Sequence, residues 1–319
     1  MASAARRHSF NPVRTCGAQH YAAGAVAKKA PITLCGSLSR HPVALGAAMH
    51  NAGYAALGLP FTYVAFATED LEGALRGMRA LGIRGFGVSM PFKIEIIPLL
   101  DGVDELAGRI GAVNTVVNDE GALTGYNTDA SGSFRALAEA MPLRGRRVAL
   151  IGAGGAARAV AHALCAEGVR LHVINRTQVR ARELAQDVAT TFSPMASSRT
   201  GPASGALPMA TAGGLDDLKD LSAFDAIVNC SSAGMRDYGE ASPVPETSLR
   251  PELVVMDIVY EPIETELIRL ARQRGAKVVH GGRMLLHQAC AQFQLYTGRP
   301  APEDAMNAAL ERVMQMKSD

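Results

Sequence analysis

Three groups of residues in this chain have the types and spacing to do chemistry. The first runs Val148-Ala149-Leu150-Ile151-Gly152-Ala153-Gly154-Gly155-Ala156-Ala157-Arg158: an apolar strand, a glycine turn and a helix start, in that order. Gly152 permits the tight turn, and Gly154 lets backbone amides approach a pyrophosphate. The small Ala157 allows close packing of helix on strand, and a helix N-terminus favours an anion. A glycine fingerprint alone is weak; the flanking strand and helix make this one a dinucleotide site. The next apolar strand ends Val173-Ile174-Asn175-Arg176-Thr177. An NAD site wants a carboxylate at that strand end to hold the ribose hydroxyl. None is present, and Arg176 instead offers a planar fork to a 2′-phosphate, which points to NADP.

The other two groups lie in the N-terminal half. One is Val88-Ser89-Met90-Pro91-Phe92-Lys93. The other is Gly125-Tyr126-Asn127-Thr128-Asp129, preceded by Gly111-Ala112-Val113-Asn114-Thr115. Both follow apolar strands, and open α/β sheets bind ligands at the carboxyl ends of their strands. A lysine and an aspartate converging there position a hydroxyl and move its proton. Taken singly, each has a plainer role: Lys93 as a first-turn surface lysine, Asn127 and Asp129 as turn or capping residues. No cluster has metal-ligand spacing, and His50 and His287 read as packing or hydrogen-bonding residues.

These residues need a frame of alternating strands and helices, and the chain supplies one from residue 31 onward. Strands are expected at Ile32–Cys35, Thr62–Ala67, Gly85–Ser89, Val148–Ile151, Leu171–Asn175, Asp225–Asn229, Leu253–Asp257 and Lys277–Val279. Ala112–Asn118 and Ala122–Tyr126, joined through Asp119-Glu120-Gly121, read as a hairpin. Helices are expected at Leu45–Leu57, after a Thr68 cap with Glu69 and Asp70 in the first turn, at Phe92–Leu100, Ser131–Ala140, Gly155–Glu167, Gln178–Val188 and Glu264–Arg274, and over 284–297 and 303–316. The fold class is α/β with mostly parallel sheets. Residues 193–214, rich in Ser, Gly, Ala and Pro, read as a mobile surface insertion.

Composition agrees. The chain has 319 residues, 48% hydrophobic and 19% charged, enough for two domains with buried cores. A net charge of +2 with dispersed basic residues gives no footprint for nucleic acid. No apolar run reaches the ~18–20 residues of a membrane span. Cys16, Cys35, Cys165, Cys230 and Cys290 are scattered and unpaired, as in a reduced cytoplasmic protein. Residues 1–30 are Ala-rich, and no acid precedes Glu69; the composition is transit-peptide-like, and a disordered extension is the expected reading.

The ordered set of motifs resembles the shikimate dehydrogenase family. Gly87-Val-Ser-Met-Pro-Phe-Lys93 is similar to the family's N-V-T-x-P-x-K around its catalytic lysine. G-A-V-N-T stands intact at Gly111–Thr115 and G-x-N-T-D at Gly125–Asp129, and the glycine fingerprint and Asn175–Thr177 follow. Farther on, Asn229-Cys-Ser-Ser-Ala-Gly234-Met235, Asp257-Ile-Val-Tyr260-Glu-Pro262 and Met284-Leu285-Leu-His-Gln288-Ala289 resemble three later family motifs. The resemblance implies an N-terminal substrate domain (31–130), a Rossmann-type NADP domain (131–281) and C-terminal helices (282–319) that pack back on the first domain. It implies Lys93 and Asp129 as the catalytic pair, with Ser89, Asn114, Asn127, Tyr260 and Gln288 on a small carboxylated ring substrate. Gly152, Ala153, Gly154, Gly155, Ala156, Asn175, Arg176, Thr177, Met235 and Gly281 would line the cofactor. It further implies a cytoplasmic monomer or homodimer serving chorismate and aromatic amino acid biosynthesis.

One departure concerns the substrate. The family holds the substrate carboxylate with two serines in S-x-S-P before a helix carrying His-Asn. Counting back from His50-Asn51, those positions hold Ala44 and Gly46. Ser37 and Ser39 lie seven residues earlier, within a Ser-Leu-Ser-x-x-Pro pattern that looks more like the "shikimate dehydrogenase-like" branch, as does Val-Ser-Met-Pro-Phe-Lys. Gly87 and Ser89 replace the family's asparagine and threonine, and Arg283 stands where glycine is usual. Ser37, Ser39 and Arg283 are therefore the candidate carboxylate partners. Dehydrogenation of quinate or another cyclic polyol, and a catalytically idle NADP-binding sensor, stay open beside shikimate.

Overall fold

The computed structural model describes residues 31–192, 208–236 and 238–316. In chain order the elements begin β1 (Thr33–Ser39), α1 (Leu45–Ala56), β2 (Phe61–Ala67), α2 (Leu71–Leu81), β3 (Gly85–Val88), α3 (Phe92–Glu95), β4 (Gly102–Val103), α4 (Glu105–Ile110), β5 (Thr115–Asp119), β6 (Ala122–Tyr126) and α5 (Asp129–Ala138). They continue β7 (Arg147–Ile151), α6 (Gly155–Ala166), β8 (Arg170–Ile174), α7 (Gln178–Phe192), β9 (Ala210–Gly213), β10 (Ala226–Asn229), β11 (Val254–Asp257), α8 (Glu266–Gln273), β12 (Lys277–Val279), α9 (Gly281–Thr297) and α10 (Glu303–Met316).

Two six-stranded sheets result among the described residues, ordered β2-β1-β3-β5-β6-β4 and β12-β11-β10-β7-β8-β9. The second is parallel throughout. In the first, β1 runs parallel to β2 and β3, and the expected hairpin inserts β5 antiparallel to both β3 and β6. The hairpin turns on Glu120 and Gly121, both at positive φ (53° and 99°), a two-residue turn whose twist suits the strands. Both sheets lie in one unit, Ile32–Asp319.

Alternation along the strands fills the core. Val148 and Leu150 of β7 join Val160, Leu164, Val173 and Leu184 on one face. Ala149 and Ile151 join Ile227, Val255 and Leu267 on the other. The first sheet is likewise covered on both faces, and Met306 and Leu310 of α10 with Leu286 and Phe293 of α9 pack beside Leu45, Met49 and Tyr54 of α1. The C-terminal helices thus return to the first sheet.

Several boundaries differ from expectation. Thr68 does not cap α2; Asp70 does, accepting from Gly73 N at 2.7 Å, while Thr68 Oγ1 accepts from Asp70 N. Glu69 and Asp70 therefore precede the helix, and Glu72 is its first-turn acid. The expected helix Phe92–Leu100 stops at Glu95 and resumes as a 3-10 turn over Ile97–Leu99, because Pro98 has no N–H to continue an α-helix. Residues 210–213, expected in the surface insertion, are the edge strand β9; residues 193–207, the expectation for 1–30, and Cys16 lie outside the described residues. Helices α5 and α9 begin two and three residues early, at Asp129 and Gly281.

Candidate active site

The short helix α3 carries Lys93. Phe92 beside it is buried and fixes the turn, and the Lys93 carbonyl accepts from Val113 N at 2.8 Å. The segment leading to Asn114 is thereby tied to the residue whose side chain it must meet. Asp129 opens α5, where the helix dipole favours a carboxylate. Lys93 Nζ donates to Asp129 Oδ2 at 2.6 Å, with side-chain exposures of 19% and 4%. Asp129 Oδ1 accepts from Asn114 Nδ2 at 2.8 Å.

Asn114 is the hub. Its Oδ1 accepts from Thr128 N at 2.7 Å and from Thr115 Oγ1 at 2.9 Å. Besides Asp129, its Nδ2 lies 3.0 Å from both Thr128 Oγ1 and Gln288 Oε1. Two N–H groups thus face three acceptors, so a hydroxyl arriving in the cleft can relieve one of them.

Lys93, Asp129 and Asn114 wall a cavity of about 190 Å³ that Ser37, Ser39, Ser89, Tyr260 and Gln288 also line. Ser37 and Ser39 are alternate residues of β1, so they share a face. Ser89 N donates to Leu38 O at 3.1 Å, which brings the third serine alongside. Ala156 and Gly281 line the same cavity.

Two sequence candidates fall elsewhere. Asn127 is buried behind the cleft: its Nδ2 donates to Ala112 O at 2.9 Å and its Oδ1 accepts from Ala130 N at 3.3 Å. It shapes the turn before α5 and does not line the cavity. Arg283 is committed to Glu139, at 2.9 and 2.6 Å, and to Asn307 at 2.9 Å. The Arg283 hydrogen bond, helped by His287 and opposed by burial, holds the Glu139 carboxyl down to about 2. A guanidinium paired this way has no reason to turn to a substrate.

Gln292, Tyr63 and His41 also line the cavity, and sequence reasoning missed them. Gln292 follows Gln288 by one helical turn on α9, a spacing that places both on one face. Its Nε2 donates to Thr115 Oγ1 at 3.0 Å. Tyr63 explains Gly87: a Cβ there would lie 2.8 Å from the Tyr63 hydroxyl and 3.2 Å from Gln292 Nε2. His50 stacks on Tyr63 at 4.2 Å and bonds Gly46 O at 2.9 Å through Nδ1. Burial pushes it down to about 4, so it stays neutral, with a packing role.

On the nucleotide side, Gly152 adopts φ 109°, and a Cβ there would meet Cys230 O at 2.9 Å, so only glycine fits. A Cβ on Gly154 would point into open space, the side from which a pyrophosphate would approach. Gly154 caps α6 with no side chain, which leaves first-turn amides for an anion. Asn175 Nδ2 donates to Thr177 O at 3.0 Å, and Arg176 and Thr177 are exposed at the end of β8. Gly281 must be glycine, since a Cβ would sit 2.4 Å from Val259 O. Met235 follows β10 in a turn with its N–H on Ser232 O, at the same sheet end as the glycine turn. These residues fit a dinucleotide with a 2′-phosphate. Among the described residues no group of three or more His, Cys, Asp or Glu is placed to hold a metal, and no helix is long and apolar enough to cross a membrane.

Asp257 holds the loop that carries Tyr260. It is fully buried and accepts from Asn229 Nδ2 (3.0 Å), Val259 N (3.0 Å) and Thr265 Oγ1 (2.7 Å). Burial raises its carboxyl from 3.8 to about 6, against those hydrogen bonds. A carboxyl with a raised folded pKa stabilises the fold most below its unfolded value, and the contribution disappears as pH rises through the folded one. The melting temperature of the wild type minus that of Asp257→Asn should therefore shrink between pH 4 and 7, by the equivalent of ~2–3 kcal/mol. A constant difference across that range would refute the shift.

Family models match for the shikimate dehydrogenase substrate binding domain (residues 41–116), shikimate/quinate 5-dehydrogenase (135–199) and the shikimate 5′-dehydrogenase C-terminal domain (281–311). A relative from Moorella thermoacetica named shikimate dehydrogenase (NADP(+)) is 44% identical over 292 residues, 88% of this chain and 94% of its own length. A crystal structure of a shikimate dehydrogenase in complex with NADP+ superposes with a TM-score of 0.80 at 35% identity, over 89% of this chain and 96% of that one. A quinate dehydrogenase from Corynebacterium glutamicum in complex with NAD superposes at 0.78 and 32% identity, over 89% and 100%.

Proposed function

This chain belongs to the shikimate dehydrogenase family, and we propose that it catalyses the NADP-dependent, reversible reduction of 3-dehydroshikimate to shikimate. The observation that carries the reading is the 2.6 Å contact between Lys93 and Asp129 in the wall of a cleft that Ala156, in the first turn of the helix after the glycine turn, also lines. Relatives named for this reaction and this cofactor support the substrate.

The bound nicotinamide supplies the hydride. The Lys93 ammonium donates to the substrate's carbonyl oxygen, stabilises the alkoxide as that carbonyl is reduced and delivers the proton that makes it a hydroxyl. Being partly exposed, it regains a proton from water. Asp129 orients Lys93, and Asn114 holds Asp129. Gln288 and Tyr260 meet the ring hydroxyls, and Ser37, Ser39 and Ser89 meet the carboxylate. Residues 31–130 then serve as the substrate domain and 131–281 as the cofactor domain, in a cytoplasmic enzyme of aromatic amino acid biosynthesis.

Purified protein given shikimate and NADP+ should form reduced nicotinamide, faster than with quinate. Tight NADP+ binding by calorimetry, with no turnover across a panel of cyclic hydroxy acids, would overturn the enzymatic reading. Arg176 carries the cofactor choice. Arg176→Ala should raise KM for NADP+ by about 10–100-fold, the worth of a charged hydrogen-bonded pair, with NAD+ little changed. Equal losses with both cofactors would remove the 2′-phosphate contact.

A further inference from the structure

We propose that Arg158 is a positioning residue: it locks the cofactor helix α6 to the loop that carries Asn114, just before β5, so that hydride donor and Lys93–Asp129 pair keep one spacing. This rests on the reading of α6 as the pyrophosphate helix.

Arg158 closes the first turn of α6. A cation there opposes the helix dipole, and its guanidinium is taken up by Ile110 and Asp187. Nε donates to Ile110 O at 2.5 Å, and Nη2 donates to Asp187 Oδ2 of α7 at 2.8 Å. Asp187 is itself steadied by His162 Nε2 at 3.2 Å on the same oxygen. Ile110 is the last residue of α4, whose terminal carbonyls lack helical partners and form the negative end of its dipole.

From Ile110 the chain runs four residues to Asn114, and each step is tied down. Gly111 turns it at φ 70°. Ala112 O accepts from Asn127, Val113 N donates to Lys93 O, and Asn114 holds Asp129. A displacement of Ile110 therefore passes directly to the catalytic pair.

The packing around this contact has little directionality of its own. Ile110, Ala112, Ala130 and Ala159 form one small buried cluster where α5 meets α6, and a Cβ on Gly155 would sit 3.7 Å from that of Ala112. Methyl groups permit close approach but leave sliding nearly free, because dispersion contacts are weak and undirected. The guanidinium bond has a preferred angle and length, so it sets the register.

The test is Arg158→Met and Arg158→Lys in the full chain. Arg158→Met should lower kcat by ~10–100-fold, as for a misplacement near 1 Å. KM for shikimate and the NADP+ dissociation constant should stay within about twofold, and the deuterium isotope effect on hydride transfer should rise. Arg158→Lys keeps one donor for Ile110 O and should recover part of kcat. A dissociation constant for NADP+ that rises in step with the loss would make Arg158 a phosphate ligand and overturn the proposal, as would an unchanged kcat. Amide exchange decides the point without turnover: NADP+ should slow exchange over residues 110–115 in the wild type and not in Arg158→Met. Equal slowing in both overturns the proposal, whereas absent wild-type turnover overturns only the proposed activity.

Discussion

Lys93→Met should lower kcat for shikimate oxidation by ~10²–10⁴-fold while leaving NADP+ binding intact. Positioned acid–base catalysis is typically worth that much, and Lys93 is the cation that meets the carboxylate in the cleft wall. The variant also strands Asp129, whose side chain is 4% exposed. Leaving a buried charge unpaired is costly, ~3–5 kcal/mol, so a lower melting temperature should accompany the loss. Asp129→Asn separates the two effects. It keeps the shape of the carboxyl and removes its charge, so the fold is spared while Lys93 loses its orienting anion. Its kcat should fall by ~10–10³-fold, less than for Lys93→Met, because the proton donor remains. Near-wild-type kcat in both variants would remove the pair from the chemistry. Loss of NADP+ binding in Asp129→Asn would mean that the residue is structural.

Much of this site was legible because its residues sit where strands end. Lys93 and Asp129 are each announced by an apolar strand followed by a break, and the glycine turn by its flanks, whereas Asn114 precedes β5 and reaches the same sheet end because that strand runs antiparallel to β3 and β6. The rest depended on contacts between distant segments. Gln292 meets Asn114 O across 178 residues, and apart from its helical spacing from Gln288 nothing local marks it as part of the cleft wall. Asn127 has two readings in the sequence, substrate contact or turn residue, and the turn into α5 takes both ends of its amide. Arg283 is a carboxylate candidate by sequence, but the end of α5 brings Glu139 against it. The same distinction governs the fold. Alternating strands and helices were readable from period, but the break at Pro98, the Asp70 cap and the edge strand β9 were decided by one residue or by pairing with β8.

The carboxylate site carries the second large effect. Ala44 and Gly46 supply no hydroxyls, and position 46 presents bare backbone to the cleft. Ser37 and Ser39 reach the cavity instead, because β1 runs on to Ser39 before the chain turns into α1. A hydrogen bond to a charged group contributes ~1.5–3 kcal/mol. Ser37→Ala with Ser39→Ala should therefore raise KM for shikimate by ~10²–10⁴-fold, with a smaller change in kcat, since the bonds exist in ground and transition states alike. Ser37 also shares the cavity wall with the Tyr63 hydroxyl, so the single Ser39→Ala variant is the cleaner measure and should lose about 10–100-fold. The methyl ester of shikimate separates the causes. It lacks the anionic charge, so the wild type should bind it poorly and the double variant should discriminate little between acid and ester. If the double variant weakens both alike, the serines shape the cavity without reading the carboxylate. An unchanged KM for the acid would move the anchor to Ser89, His41 or Tyr260, which line the same cavity.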